Sequence, residues 1–149
     1  MTTTLLQSTT APESGAQQIG RVALGSAMVF AGIGHLTFAR QEFRAQVPRF
    51  VPRVTRRSVD DIVVASGVVE IALGGSLILL RSRRAAVGLF LALFFVAILP
   101  GNLAQWRHHR DGFGLNSDRA RTIRLVFQPV LVAWALWSTG AWSELRRSA

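Results

Sequence analysis

Glu70 carries the clearest chemistry in this chain of 149 residues, because it is the one charge inside a nineteen-residue apolar run, 62–80. A run of that length crosses the ~30 Å hydrocarbon core of a bilayer at about 1.5 Å per helical residue. A carboxylate at such depth costs roughly 2.5–3.5 kcal/mol on insertion scales, so it must be solvated, neutralised or paired. His35, Asn102, Arg124 and Gln128 are the other conspicuous polar side chains in or at the ends of apolar runs. A carboxylate, an imidazole, a guanidinium and two amides can together bind, orient and exchange protons with the polar head of an otherwise apolar molecule. They do not form a nucleophile–base pair, and no phosphate-binding glycine loop or metal-ligand spacing accompanies them, so no catalytic constellation is visible. His108, His109 and Asp111 cluster in sequence but read as a solvated loop rather than a metal site.

The elements that position these residues are four apolar runs, at about 19–38, 60–80, 85–103 and 123–142. Each has the length of a spanning helix, and none has the continuous polar face that a helix of a soluble bundle would show. The predicted fold is an all-α membrane protein, a four-transmembrane-helix antiparallel bundle. The RSRR connection at 81–84 is short enough for a helical hairpin. Pro100 and Pro129 fall inside runs, where neighbouring helices can satisfy the freed backbone groups. Residues 1–18 are rich in Thr, Ser, Gln and Ala and read as a disordered N-terminal tail before an uncleaved first helix; 143–149 reads as a C-terminal tail.

Threading the runs with the termini on side A places the polar residues in one half of the membrane. His35 lies near the side B end of the first helix, and Glu70 is about eight residues, or ~12 Å, in from side B on the second. Asn102 closes the third helix at B, while Arg124 and Gln128 open the fourth there. Ala23, Ala27, Ala31 and His35 recur every four residues, as do Ser66, Glu70 and Gly74, with Gly67 beside them. Small residues let membrane helices approach closely, so both stripes are expected to face inward and to carry His35 and Glu70 with them. The 40–58 connection holds Phe43, Pro48, Phe50 and Pro52 among six arginines and is expected to lie at the membrane surface as a lid. Trp106, Trp134, Trp137 and Trp142 fall mostly near helix ends, where Trp anchors helices at the interface.

Composition narrows the function classes. Half the residues are hydrophobic, yet the net charge is +9, and all seventeen basic residues are Arg. The arginines crowd the segments between apolar runs instead of forming a stripe on one element, which fits loops of a membrane protein and not a nucleic-acid surface. There is no Cys, which excludes disulfides, thiol redox chemistry and Cys-ligated metal within the chain. Side B has more arginines, whereas the RSRR loop and an even number of helices favour both termini inside; the second orientation is adopted here.

GIGHL at 32–36, GVVE at 67–70, LPGNLAQW at 99–106 and RLVFQPVLVAWALW at 124–137 resemble the helix motifs of DoxX-like small four-helix membrane proteins. The resemblance covers about residues 20–142, with His35, Glu70, Asn102, Arg124 and Gln128 at the matching polar positions. Gly101 departs from the pattern, since relatives often carry Ala between Pro and Asn, and is expected to be neutral. The resemblance implies a bacterial cytoplasmic (inner) membrane protein tied to redox metabolism, because the name-giving member is a subunit of a thiosulfate:quinone oxidoreductase.

Three functions follow as expectations. The first is a buried polar pocket for a lipophilic small molecule such as a quinone, serving a membrane redox system. The second is an accessory or assembly subunit packed against a membrane or redox protein partner, with a homo-oligomer left open. The third is a proton or small-solute transporter using Glu70 and His35, which the low polarity of the A half disfavours. The bilayer is the partner common to all three.

Overall fold

The computed structural model describes residues 12–112 and 115–148, and the described residues are helical throughout apart from short connections. Helix α1 spans Gly15–Leu36 and starts in a capping box in which Ser14 accepts from the Gln17 backbone while the Gln17 side chain returns a bond. Two short helices, α2 at Arg40–Arg44 and α3 at Phe50–Thr55, form the connection to α4 at Val59–Leu79. A second capping box, Ser58 with Asp61, opens α4, and Asp60 and Asp61 place negative charge at the positive end of its dipole. A single 3-10 turn at Arg81–Arg83 leads into α5, Arg84–Arg107, which runs through Pro100. Ser117 caps α6, Asp118–Thr139, whose far end turns at Gly140 with φ of 74° into α7, Ala141–Ser148.

Three of these helices, α1, α4 and α5 with its leading turn, are long and apolar enough to cross a membrane. The fourth apolar run meets that test only as α6 and α7 together, which bend by 82° at Gly140. The sequence boundaries therefore shift at this end. The fourth helix begins before 123 because Ser117 supplies the cap, and residues 143–148 are helical instead of a loose tail. At the other end, most of the expected N-terminal tail (1–11) lies outside the described residues, and 15–18 already belong to α1.

The helices pack chiefly as two antiparallel pairs, α1 with α4 and α5 with α6, joined by contacts between α1 and α6. The first pair is set by glycines. A Cβ on Gly25 would lie 2.8 Å from the Gly74 carbonyl oxygen, and one on Gly32 would lie 2.6 Å from that of Gly67. These two crossings, with the numbering rising on α1 and falling on α4, define both the antiparallel sense and the close approach. The face used on α1 is thus not the expected alanine stripe: Ala23 and Ala27 are exposed, while Leu24, Gly25, Met28, Gly32 and His35 are buried. A four-residue spacing drifts by about 40° per step around an α-helix, so three steps carry a stripe off any one face, whereas a seven-residue spacing drifts by only ~20°. On α4 the expected face holds, with Gly67, Glu70 and Gly74 buried. An apolar cluster including Leu24, Met28, Leu77, Leu91, Phe95 and Ala135 fills the space between the pairs.

The end that carries the start of α1 is closed by charge. Glu13 pairs with Arg21 at 2.7 Å and with Arg81 at 3.3 Å, and the side chains of Glu13 and Arg21 are almost wholly buried. Arg21 also donates to the carbonyl of Leu77 in the last turn of α4, where a cation meets the negative end of the helix dipole. Trp134 and Trp106, expected as interfacial anchors, spend their indole N–H groups on the Gly20 carbonyl and the Thr122 hydroxyl of neighbouring helices.

Candidate functional site

At the opposite end His35 and Glu70 meet across the α1–α4 crossing, where Gly67 and Gly32 let the backbones approach. Nδ1 of His35 lies 3.0 Å from Oε2 of Glu70 and 2.9 Å from the Ala31 carbonyl oxygen. One N–H cannot point at both acceptors. With the hydrogen on the carbonyl, the imidazole remains a close neighbour of Glu70, while Oε2 has no hydrogen bond within the protein. Both side chains are more than nine-tenths buried, and the His35 ring stacks on Phe43 of α2. Leaving a buried acceptor unsatisfied costs about 1–3 kcal/mol, so this geometry calls for an explanation.

The pair borders a cavity of about 340 Å³ between α4 and α5, roofed by the α2–α3 connection. Its walls are largely apolar, with Val63 and Ile98 on the two helices and Phe43, Pro48 and Phe50 in the roof. Ala97 and Pro100, both exposed, line it from α5. Arg124 of α6 reaches the same cavity, lies within electrostatic range of Glu70, and donates from Nη2 to Oε1 of Gln46 at 2.9 Å.

The roof is held in place from three directions. Arg40 and Arg44 of α2 both bind Asp60 at the start of α4, Arg44 through Nη2 at 2.6 Å. Arg110 donates to the carbonyls of Ala45 and Val47 at 3.3 and 3.1 Å. Gly101 of α5 gives the third seat, because a Cβ there would stand 2.6 Å from the Gln46 carbonyl oxygen. The glycine expected to be a neutral departure therefore makes room for the roof. Arg121 of α6 is buried and joins Asp118 at 2.8 Å and Asp111, which ties Asp111 to that helix.

Of the five polar positions singled out from the sequence, three border this cavity: His35, Glu70 and Arg124. Asn102 and Gln128 do not. Asn102 Nδ2 donates to Gln128 Oε1 at 2.8 Å, and Gln128 Nε2 donates to the Phe95 carbonyl at 2.7 Å, so the two amides join α5 to α6. Gln128 also borders a second groove, of about 510 Å³, which shares His35, Glu70 and Arg124 with the first. Of the four expected lid residues, Phe43, Pro48 and Phe50 line the cavity and Pro52 does not. Gln46 was missed. It sits in the irregular stretch between α2 and α3, where no periodicity assigns a side chain to a face. The buried Glu13–Arg21 pair was missed for a related reason, since nothing local marks a residue before the first helix as a partner for one inside it.

Among the described residues no group of three or more His, Asp or Glu side chains is placed to hold a metal ion. What the arrangement can do is bind. It combines an apolar chamber, a buried carboxylate–imidazole pair, a guanidinium and a primary amide, as sites for small molecules commonly do.

By element content and hydropathy this is an all-helical chain whose long helices suit a membrane. It belongs to the family described as domain of unknown function DUF8561, whose model matches residues 24–139, a span that contains every residue of the site. Comparison with curated proteins and comparison with solved structures each find no match.

Proposed function

We propose that the chain is a DoxX-like four-transmembrane-helix antiparallel bundle of the bacterial cytoplasmic membrane whose pocket binds a lipophilic small molecule with a polar head, such as a quinone, in a membrane redox system. In this reading α6 and α7 make up the fourth span and its surface-lying end. The observation that carries it is the 340 Å³ chamber with apolar walls and the buried Glu70–His35 pair at its border. A packing role alone asks for no ionisable side chain at that depth, since interhelical hydrogen bonds in membranes average only about 0.6 kcal/mol and amides supply them as well. The amides Asn102 and Gln128 do that work here, which leaves the ionisable trio for the chamber. The Glu13–Arg21–Arg81 cluster and the buried Leu24 and Leu77 close the far end, which favours a one-sided pocket over a path through the membrane.

Solvent extraction of the detergent-purified protein, followed by mass spectrometry, tests the reading. A lipophilic redox-active compound should be enriched over a control membrane protein prepared identically, and Glu70→Gln should deplete it. Equal recovery from control, variant and wild type would leave the accessory-subunit reading in its place.

A further inference from the structure

The roof carries charge that the bundle does not use. Residues 40–61 hold six arginines against three carboxylates, Glu42, Asp60 and Asp61. Arg40 and Arg44 share the single carboxylate of Asp60, which leaves that cluster positive. Arg49, Arg53, Arg56 and Arg57 are exposed, and none of them pairs with a carboxylate among the described residues. Helix α3 buries none of its own residues. At about 100° per residue, Phe50, Val51, Val54 and Thr55 fall on one arc of α3, with Arg49 and Arg53 on the opposite side. Phe50 and Val54 are 57% and 77% exposed, so much of the apolar arc is not spent on the protein. A helix that shows one apolar and one basic side suits the plane of a membrane surface.

An apolar groove of about 690 Å³ runs between α3 and α4, parted from the chamber by Val51 and Ile62, which line both spaces. Arg57 and Asp61 stand at its surface end, and Val64 and Ala65 lie one turn deeper along α4. Asp61 is partly occupied, since its Oδ2 accepts from the Ser58 backbone at 3.2 Å. Beyond Ala65 the same face of α4 continues through the exposed Val68, Val69 and Ala72, about 16 Å of helix counted from Asp61. The groove thus has a cationic end and a bare hydrocarbon bed. A free phosphate uses only the first, and an acidic protein or a nucleic acid leaves the bed empty. A zwitterionic lipid fills both but sets its cationic group among the arginines. We infer that the groove holds one anionic phospholipid whose head carries a phosphodiester and no cation. Its phosphate sits on Arg57, which can offer paired N–H donors to two phosphate oxygens, and one acyl chain lies along Ala65 and Val68. Bound there, the lipid ties α3 to α4 and adds to the contacts that hold the roof. The inference rests on the bilayer reading above and is independent of what the chamber binds.

The test is native mass spectrometry of the full chain in detergent, titrated with dipalmitoyl phosphatidylglycerol or with dipalmitoyl phosphatidylcholine. The glycerol lipid should form one saturable adduct roughly fivefold or more tighter than the choline lipid, the effect of about one charge contact at a membrane surface. Arg57→Gln should weaken that adduct by about fivefold. Arg83→Gln removes the same charge from an exposed arginine at the far end of the bundle and should leave the adduct unchanged. Ala65→Trp should weaken it by filling the bed with the charge untouched. All three positions are exposed, and Tm in detergent checks that each variant is folded; wild-type selectivity decides alone if one is not. Equal affinity for the two lipids, or equal loss in Arg57→Gln and Arg83→Gln, overturns the site. Displacement of the adduct by millimolar inorganic phosphate assigns the arginines to a free anion and overturns it too. A chain that stays monodisperse without detergent removes the bilayer reading and the lipid site with it, whereas failure to extract any compound from the chamber leaves the lipid site standing.

Discussion

Adding one methyl group to Gly67 tests whether the α1–α4 crossing holds the His35–Glu70 pair together. An alanine Cβ there would stand 2.6 Å from the Cβ of His35 and 2.9 Å from the Gly32 carbonyl oxygen, where ordinary contact begins at 3.4 Å. The helices must part by about 0.5–0.8 Å to restore that contact, and the 3.0 Å His35–Glu70 separation would open by a similar amount. Overpacking of this kind costs about 1–3 kcal/mol, partly hidden by the ~1 kcal/mol that alanine gains over glycine in a helix. Gly75 supplies the control, because a Cβ there meets nothing within 4 Å on the same helix. Taking Gly67→Ala against Gly75→Ala cancels the propensity gain and leaves the overpacking cost, a gap of roughly 3–10 °C in Tm for a chain of this size. Thermal unfolding in detergent, followed by circular dichroism, measures it. Equal Tm values for the two variants would refute the claim that direct backbone contact at Gly67 sets the crossing.

The other predictions address the remaining contacts. Gln128→Leu strands the Asn102 amide and the Phe95 carbonyl, so it should lower stability by about 1–3 kcal/mol while leaving ligand recovery intact, and Glu70→Gln should do the reverse in the same unfolding and extraction assays. Arg21→Met leaves Glu13 buried with Arg81 as its remaining ion-pair partner and should cost about 3–5 kcal/mol; the Glu13→Gln/Arg21→Met double variant should recover part of that loss, as a double-mutant cycle in detergent would show. Asp60→Asn frees α2 from α4 by removing solvent-screened ion pairs, so tryptic cleavage within 40–57 should accelerate with little change in Tm. Gly101→Ala should shift the roof from its seat against Gln46 and reduce ligand retention, with α1–α4 packing undisturbed, read by extraction alongside Tm.

Some of this was decided by the sequence alone. The apolar runs have the length that a bilayer would demand, where water cannot satisfy a backbone, and that length is legible directly in composition. Glu70 announced itself for the same reason, since a charge in such a run is costly wherever the helix ends up. Its neighbours Gly67 and Gly74 marked the correct face of α4. Only the tertiary structure chose the face of α1, where the seven-residue step from Gly25 to Gly32 prevailed over the alanine row, because backbone contact demands the complete absence of a Cβ on both helices. It also separated the five polar candidates into two groups. Residue type cannot tell an amide that binds another amide from one that faces a chamber; Asn102 and Gln128 met each other, whereas Gln46, unremarkable in its loop, came to stand beside Arg124. The chamber has no signature along the chain at all. It arises where α4 and α5 stand apart beneath a roof held by Asp60, Arg110 and Gly101, and a space between elements is a property of their packing, not of any one of their sequences.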